Sequence, residues 1–500
     1  MREAFLPRRG PLIDDRTALG GLLLVLLGLT AYRAAVLLTL DVGLYGDEAY
    51  YFTWSLHPDW GYYSKPPMVA WLIGASTGVF GETPLAVKAP SLLLYPATAL
   101  VLFAIASRLY GPAAGLAAGA AFATLPGVFL GSMVINTDVP LLLFWALGLW
   151  FFLRALETDR PRHWLGVGAA LGLGLLSKYT MAAFPVSAGL YLLVTPGPRR
   201  LLRRPGPYLA AGVGLTLFLP NLLWNAENGF ISFVHTAQIS HLDEDLLHPL
   251  HLATFLGAQF GVVGPIFMAV LAALLLGGRG AYRRQPARLL LAFALPLLAV
   301  ISLQAFLADA NANWAGPAYL SATVLLAGEL LRRQPALLAA ALAANVVLGL
   351  GLYHYQPLAH AAGVQQVPEA VDPRARIRGW RALATAVAPL RQRHPEAHLL
   401  AEDRFTLAEL LFYLRPRPTA FGYWNPDGRI RDHYALTADI RGRQGEDFLL
   451  VTAKARTAAG LAPHFRAVRR MGGVSIYRGT ATTERFHFWL LRGFRGYEKP

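Results

Sequence analysis

The chain has 500 residues, 55% of them hydrophobic and 15% charged, with a mean hydropathy of +0.41. That balance excludes a disordered chain, and the clustering of the apolar residues into long runs excludes a single soluble domain. The absence of cysteine excludes a disulfide framework, a thiolate metal site and a cysteine nucleophile. The net charge of +15 invites a nucleic-acid reading. It fails on distribution: the basic residues gather in short loops between apolar runs, where they set topology, and no nucleic-acid partner is expected.

A spanning helix needs roughly 20 apolar residues. Arg2, Arg8, Arg9 and Arg16 precede the first such run, Ala18 to Leu40. It is too long for a signal-peptide core and reads as an uncleaved span with the N-terminus inside. Ten further spans are expected at 86–108, 112–132, 139–156, 163–177, 180–195, 207–224, 250–276, 288–307, 314–331 and 335–355. Alternate loops hold Arg108, Arg160 and Arg162, then Arg199, Arg200, Arg203 and Arg204, then Arg279, Arg283, Arg284 and Arg288, then Arg332 and Arg333. The opposite loops and the spans hold only Arg33, Lys65, Lys88, Arg154 and Lys178 before residue 356. The positive-inside rule then gives an eleven-span topology with the N-terminus in and the C-terminus out.

Two outer loops are long. Residues 41–87 carry Tyr50, Tyr51, Trp54, Trp60, Tyr62, Tyr63 and Trp71, a density that predicts short helices at the membrane surface. Asn225 to Pro249 holds His235, His241, Asp243, Glu244, Asp245 and His248, whose spacing reads as a solvated loop before it reads as a metal site. Residues 356–500 carry 23 Lys and Arg against 13 Asp and Glu and no span-length run. Helices are expected over Ile377 to Leu390 and Thr406 to Tyr413, and strands over His398 to Ala401, Asp447 to Thr452 and Val474 to Tyr477. The expected organisation is a cytoplasmic N-terminus (1–17), a transmembrane unit (18–355) with outer loop 41–87, and a small extracytoplasmic α/β domain (356–500).

The polar residues on the outer face carry the chemistry. Asp47 and Glu48 leave the first span side by side; the plain reading is a solvated loop start or a helix cap. Lys65 stands before two prolines, rigidly placed for a phosphate, or else snorkels at the interface. Asp138 occupies the turn Asn136-Thr137-Asp138-Val139-Pro140, as a third carboxylate or as a cap for the next helix. Lys178 is an isolated cation between apolar stretches, and Arg33 lies inside the first span, placed to snorkel, to pair with Asp47 or Glu48, or to bind phosphate. Carboxylates can deprotonate a hydroxyl acceptor and lysines can hold an anionic leaving group, so the set suits transfer from a membrane-bound phosphate ester. No nucleotide-binding glycine motif and no H-E-x-x-H occurs.

The first outer loop, from Asp47-Glu48-Ala49-Tyr50-Tyr51 through Trp54 to Tyr63-Ser64-Lys65-Pro66-Pro67 and Trp71-Leu72, resembles bacterial glycosyltransferase family 39. That family is related to protein O-mannosyltransferases and lipid A aminoarabinose transferases. Asn136 to Phe144, Leu175 to Thr180 and Asn313-Trp314-Ala315-Gly316-Pro317-Ala318-Tyr319 resemble its later motifs. Ser64 departs from the Glu that aminoarabinose transferases tend to carry before Lys-Pro-Pro. The resemblance implies a GT-C fold, α-helical and polytopic, and an inverting transfer from a polyprenyl-phosphate sugar to a glycolipid, glycan or protein hydroxyl. It implies Asp47 as base with Glu48 beside it, Asp138 as second acidic residue, and Lys65, aided by Lys178 and Arg33, on the donor phosphate. Tyr50, Tyr51, Trp54, His57 and Tyr63 would line the sugar site or lipid entrance. A divalent metal stays open. The competing class, a transporter or flippase for lipid-linked sugars, would tend to place its charges near the membrane midplane.

Overall fold

The computed structural model describes residues 13–40, 42–240, 246–277, 285–365, 367–368, 372, 374–478 and 483–497. Arg2, Arg8, Arg9, His241, Asp243, Glu244, Asp245, Arg279, Arg283 and Arg284 lie outside the described residues. The chain divides into two compact units. The first comprises 1–36, 65–69 and 88–353; the second comprises 37–64, 70–87 and 354–500.

The first unit is helical. Among the described residues, six helices of the chain are long and apolar enough to cross a membrane: Asp15–Thr39, Pro84–Tyr110, Asp138–Thr158, Pro205–Glu227, Gln285–Leu307 and Pro335–Tyr353. Shorter apolar helices include Pro112–Thr124, Pro249–Val263 and Pro265–Leu276. The chain is a multi-pass membrane protein. All eleven segments expected to span are helical, but two are interrupted. The run expected over 112–132 breaks at Leu125, whose ψ of 134° is extended because Pro126 follows it. The run expected over 250–276 breaks at Gly264, with φ 96° ahead of Pro265. A side chain at Gly264 would also strike Asn345, since a Cβ there lies 1.8 Å from Asn345 Oδ1. Proline in the first turn opens many of these helices, where its missing N–H leaves no bond unmade.

Where two helices meet closely, small residues allow it. Gly168 and Gly172 of Pro161–Leu175 face Ala210 and Gly214 of Pro205–Glu227; a Cβ on Gly172 would lie 2.6 Å from Leu217 Cβ. In membrane interiors, where apolar burial gives no preference for helix over lipid, this backbone approach supplies the packing. A ring cluster of Trp145, Phe152, Phe184 and Phe293, with centroids 5.0–5.5 Å apart in successive pairs, fills the interior.

The second unit contains a five-stranded sheet: β1 (His398–Ala401), β2 (Phe421–Tyr423), β3 (Phe448–Thr452), β4 (Phe465–Tyr477) and β5 (Thr483–Phe494), in the order β2-β1-β3-β5-β4. β1 runs parallel to β2 and β3, with Leu400 opposite Leu450; β5 is antiparallel to β3 and β4, with Phe488 opposite Val451. β3 is buried at every position, as a central strand covered on both faces must be. β4 is an edge. Its Arg466, Arg469 and Arg470 and a bulge at 470–472 protect it from pairing with another chain. The core contains Leu400, Trp424, Phe448, Phe465, Trp489 and Phe494. The expected helices and strands after residue 356 are all present, with Val474 to Tyr477 extended back to Phe465. β2 and β5 were not expected. Residues 37–64 and 70–87 group with this unit by their contacts, whereas the sequence reading assigned 41–87 to the transmembrane unit.

Candidate active site

In the first unit, three separate segments meet on Asp138. It opens the helix Asp138–Thr158 and is buried. Its Oδ1 accepts from Lys178 Nζ at 2.6 Å and its Oδ2 from Asn313 Nδ2 at 2.6 Å. Its own N–H donates to Asn136 Oδ1 at 2.9 Å, which fixes the turn that presents it. Lys178 sits in an extended residue (φ −160°, ψ 137°) between the helix ending at Leu175 and the short 3₁₀ turn Tyr179–Ala182. Asn313 lies in the 3₁₀ turn Ala312–Ala315 that leads into Gly316–Arg333. The Met68 N–H donates to Leu176 O at 3.0 Å, so the Lys65-Pro66-Pro67-Met68 segment is bonded by backbone to the segment that carries Lys178.

Arg33 is not part of that constellation. Its Nη2 donates to Ala123 O at 2.7 Å and its guanidinium lies 4.8 Å from the Phe129 ring centroid. Ala123 is one residue inside the end of the helix at Thr124, so the arginine satisfies a carbonyl that the Leu125 break leaves open. Tyr95 is within electrostatic reach of both Arg33 and Asp138.

In the second unit, Gly46–Ser55 is a helix capped at its start. Glu48, fully buried, accepts the Tyr45 N–H at 2.9 Å, as a glutamate in the third helical position does in a capping box. The N-cap is therefore Tyr45 and the capping carboxylate is Glu48. Asp47 points elsewhere: its side chain is 38% exposed, and its Oδ1 lies 4.0 Å from Nη2 of Arg404, the first residue of the helix Arg404–Tyr413.

The aromatic residues of this segment are buried. Trp54 stacks on Tyr62 at 4.6 Å between centroids and 8° between planes; Tyr50 packs on Trp54 at 4.7 Å and Tyr434 at 5.2 Å; Tyr51 packs on Trp54 at 4.9 Å. The Tyr50 hydroxyl accepts the His433 N–H, and the Tyr63 hydroxyl donates to Ile430 O at 3.3 Å. Tyr50, Tyr51, Trp54 and Tyr63 thus pack the interior of the unit. His57 is exposed. Burial drives the neighbouring His433 pKa down to about 4 and raises that of Asp432, whose Oδ2 accepts from Tyr423 at 2.7 Å. Among the described residues, no group of three or more His, Asp or Glu could hold a metal.

Two residues that contact the expected carboxylates went unassigned in the sequence reading. Asn313 stands in a quoted motif, which was its signal. Arg404 has no signal: it is one arginine in a stretch with 23 Lys and Arg.

Known proteins add to this geometry. The family described as dolichyl-phosphate-mannose-protein mannosyltransferase matches residues 64–224. The chain is 33% identical over 430 residues to the lipid A galacturonosyltransferase RgtD of Rhizobium johnstonii, covering 84% of this chain and 89% of that protein. It is 26% identical over 165 residues to the undecaprenyl phosphate-alpha-4-amino-4-deoxy-L-arabinose arabinosyl transferase of Pseudomonas savastanoi pv. phaseolicola, 32% of this chain and 31% of that one. Its fold is that of ArnT from Cupriavidus metallidurans, solved bound to undecaprenyl phosphate, with a TM-score of 0.66 at 19% identity over 94% of this chain and 97% of that one.

Proposed function

The chain belongs to the family-39-like GT-C membrane glycosyltransferases, and from that premise we propose that it moves a uronic acid, galacturonate, from a polyprenyl-phosphate donor to a hydroxyl of a lipid A-type acceptor. The reaction takes place on the outer face of the bacterial cytoplasmic membrane, with the N-terminus inside and residues 356–500 outside. The similarity to the galacturonosyltransferase, which runs over most of both chains, supports the choice of sugar and acceptor. The observation that carries the donor class is the backbone tie from Met68 to Leu176, which holds two lysine-bearing segments together beside the Asp138–Asn313 pair.

The roles follow from the side chains. The acceptor oxygen bonds to the anomeric carbon from the face opposite the phosphate, and its proton passes to the Asp47 carboxylate. The bond from the anomeric carbon to the phosphate oxygen breaks, and its electron pair leaves with polyprenyl phosphate. Lys65 and Lys178 take up the charge that grows on that leaving group. Lys178 has three N–H donors and gives one to Asp138, which leaves two for phosphate. Asp138 positions Lys178 and Asn313. Glu48 holds the start of the helix that presents Asp47.

The test is reconstitution of the full chain in lipid with polyprenyl-phosphate galacturonate and lipid A, followed by mass spectrometry. We expect release of polyprenyl phosphate with formation of galacturonosyl lipid A. Asp47→Asn should lower that rate by roughly 10²–10⁴, the usual contribution of a general base. A donor that stays intact with the unmodified protein overturns the transferase reading, and full activity of Asp47→Asn overturns the assignment of the base.

A further inference from the structure

Most arginines of the second unit that form ion pairs do so at short range. Arg378 meets Asp372 at 2.7 Å, Arg431 meets Asp427 at 2.6 Å, Arg443 meets Glu446 at 2.5 Å and Arg478 meets Glu484 at 2.6 Å. Arg404 differs. Its guanidinium lies over two rings, 4.5 Å from the Phe405 centroid and 5.7 Å from that of Tyr50. Among the described residues its one ion pair is the 4.0 Å approach to Asp47, outside hydrogen-bond range. Among the described residues its N–H groups donate no hydrogen bond, and its side chain is 34% exposed.

Ring faces hold a guanidinium flat and leave its N–H edge available, in the planar fork that matches a carboxylate or phosphate. The mounting is rigid. A Cβ on Gly46 would lie 2.5 Å from Phe405 Cδ1, so Phe405 is pressed against the residue that precedes Asp47. Asp403 caps the helix behind it, accepting the Thr406 N–H at 2.8 Å.

We infer that Arg404 is the receptor for a substrate oxyanion held beside Asp47, either the carboxylate of the transferred sugar or a phosphate of the acceptor. The inference rests on the transfer proposed above. It makes the C-terminal residues part of substrate recognition, with Arg404 determining which substrates are admitted.

The test uses the full-length reconstituted protein and Arg404→Gln, with Arg404→Lys as the charge-conserving variant. Polyprenyl-phosphate galacturonate is compared with polyprenyl-phosphate galactose, and bisphosphorylated with dephosphorylated lipid A. With the anionic substrate, Arg404→Gln should raise KM by roughly 10- to 100-fold, as loss of charge-assisted hydrogen bonds does, with kcat within a few fold. Arg404→Lys should recover part of that. If the penalty vanishes with the galactose donor, the carboxylate is the ligand; if it vanishes with dephosphorylated lipid A, the acceptor phosphate is. An equal penalty across all four combinations, a loss in kcat alone, or no change overturns the inference while the unmodified protein still releases polyprenyl phosphate. If the unmodified protein releases none from either donor, the transfer fails and the inference with it.

Discussion

Asp138 gives each of its carboxylate oxygens to a group from a distant part of the chain, so its loss strands two partners at once. Both it and Lys178 are largely buried, and breaking such a pair from one side leaves an uncompensated charge worth about 3–5 kcal/mol. Asp138→Ala should therefore lower thermal stability in detergent more than the double variant Asp138→Asn/Lys178→Met, which removes both charges; a double variant as unstable as the single one would count against the coupling. His433 supplies a pH test. In the unfolded chain its imidazole takes a proton near pH 6.5, whereas burial holds it neutral in the folded unit down to about 4. As pH falls from 6.5 to 4 the unfolded state binds the extra proton, and stability is lost by up to about 3 kcal/mol. Asp432, raised by burial, acts with the opposite sign at the low end of that window. His433→Phe should flatten the fall between pH 6.5 and 4 in denaturation curves, and an unchanged slope would remove His433 as its source. At this scale the isolated charges of the apolar segments were legible, because a cation or carboxylate without neighbours of its kind stands out. The capping carboxylate was not, since Asp47 and Glu48 are adjacent and only helix geometry tells which one turns back to the Tyr45 N–H.

Between helices, the seam of Gly168 and Gly172 against Ala210 and Gly214 sets the spacing of Pro161–Leu175 and Pro205–Glu227. Gly172→Leu would drive a side chain into Leu217. Overpacking of that kind costs ~1–3 kcal/mol, and here the backbone on the other side leaves little room to yield. Size-exclusion profiles in detergent should show Gly172→Leu aggregating while Gly212→Ala, which meets nothing within 4 Å, elutes as the parent does. Element positions in the apolar part were readable because a spanning helix must be long and apolar. Their interruptions were marked by Leu125-Pro126 and Gly264-Pro265, signals that a hydropathy sum passes over. β5 was harder. Its run Phe486, Phe488, Trp489, Leu490 and Leu491 is buried on both faces, so it lacks the alternation that marks a half-exposed strand. β4 shows the reverse difficulty: most of its positions are exposed, and Arg469, Arg470, Gly472 and Gly473 interrupt the run of its apolar residues.

Across the whole molecule, the arrangement of basic loops makes a prediction that the lack of native cysteine makes simple to test. Exposed Ala455 and Arg200 should fall on opposite sides of the membrane. In spheroplasts an impermeant maleimide should label Ala455→Cys directly and Arg200→Cys only after permeabilisation; the inverse pattern would reverse the orientation. What the sequence could not convey at this scale is that residues 37–64 and 70–87 form one compact unit with residues 354–500, because the contacts that join them are far apart in the chain and follow no local period. The bond from Met68 to Leu176 has an evolutionary consequence. It is made by peptide groups, so the choice of side chain at either position does not encode it, and of the twenty residues only proline at 68 would abolish the donor. Sequences can therefore drift around the two lysine segments while the attachment persists, which leaves descendants free to change what they recognise without having to rediscover how the anchor is held.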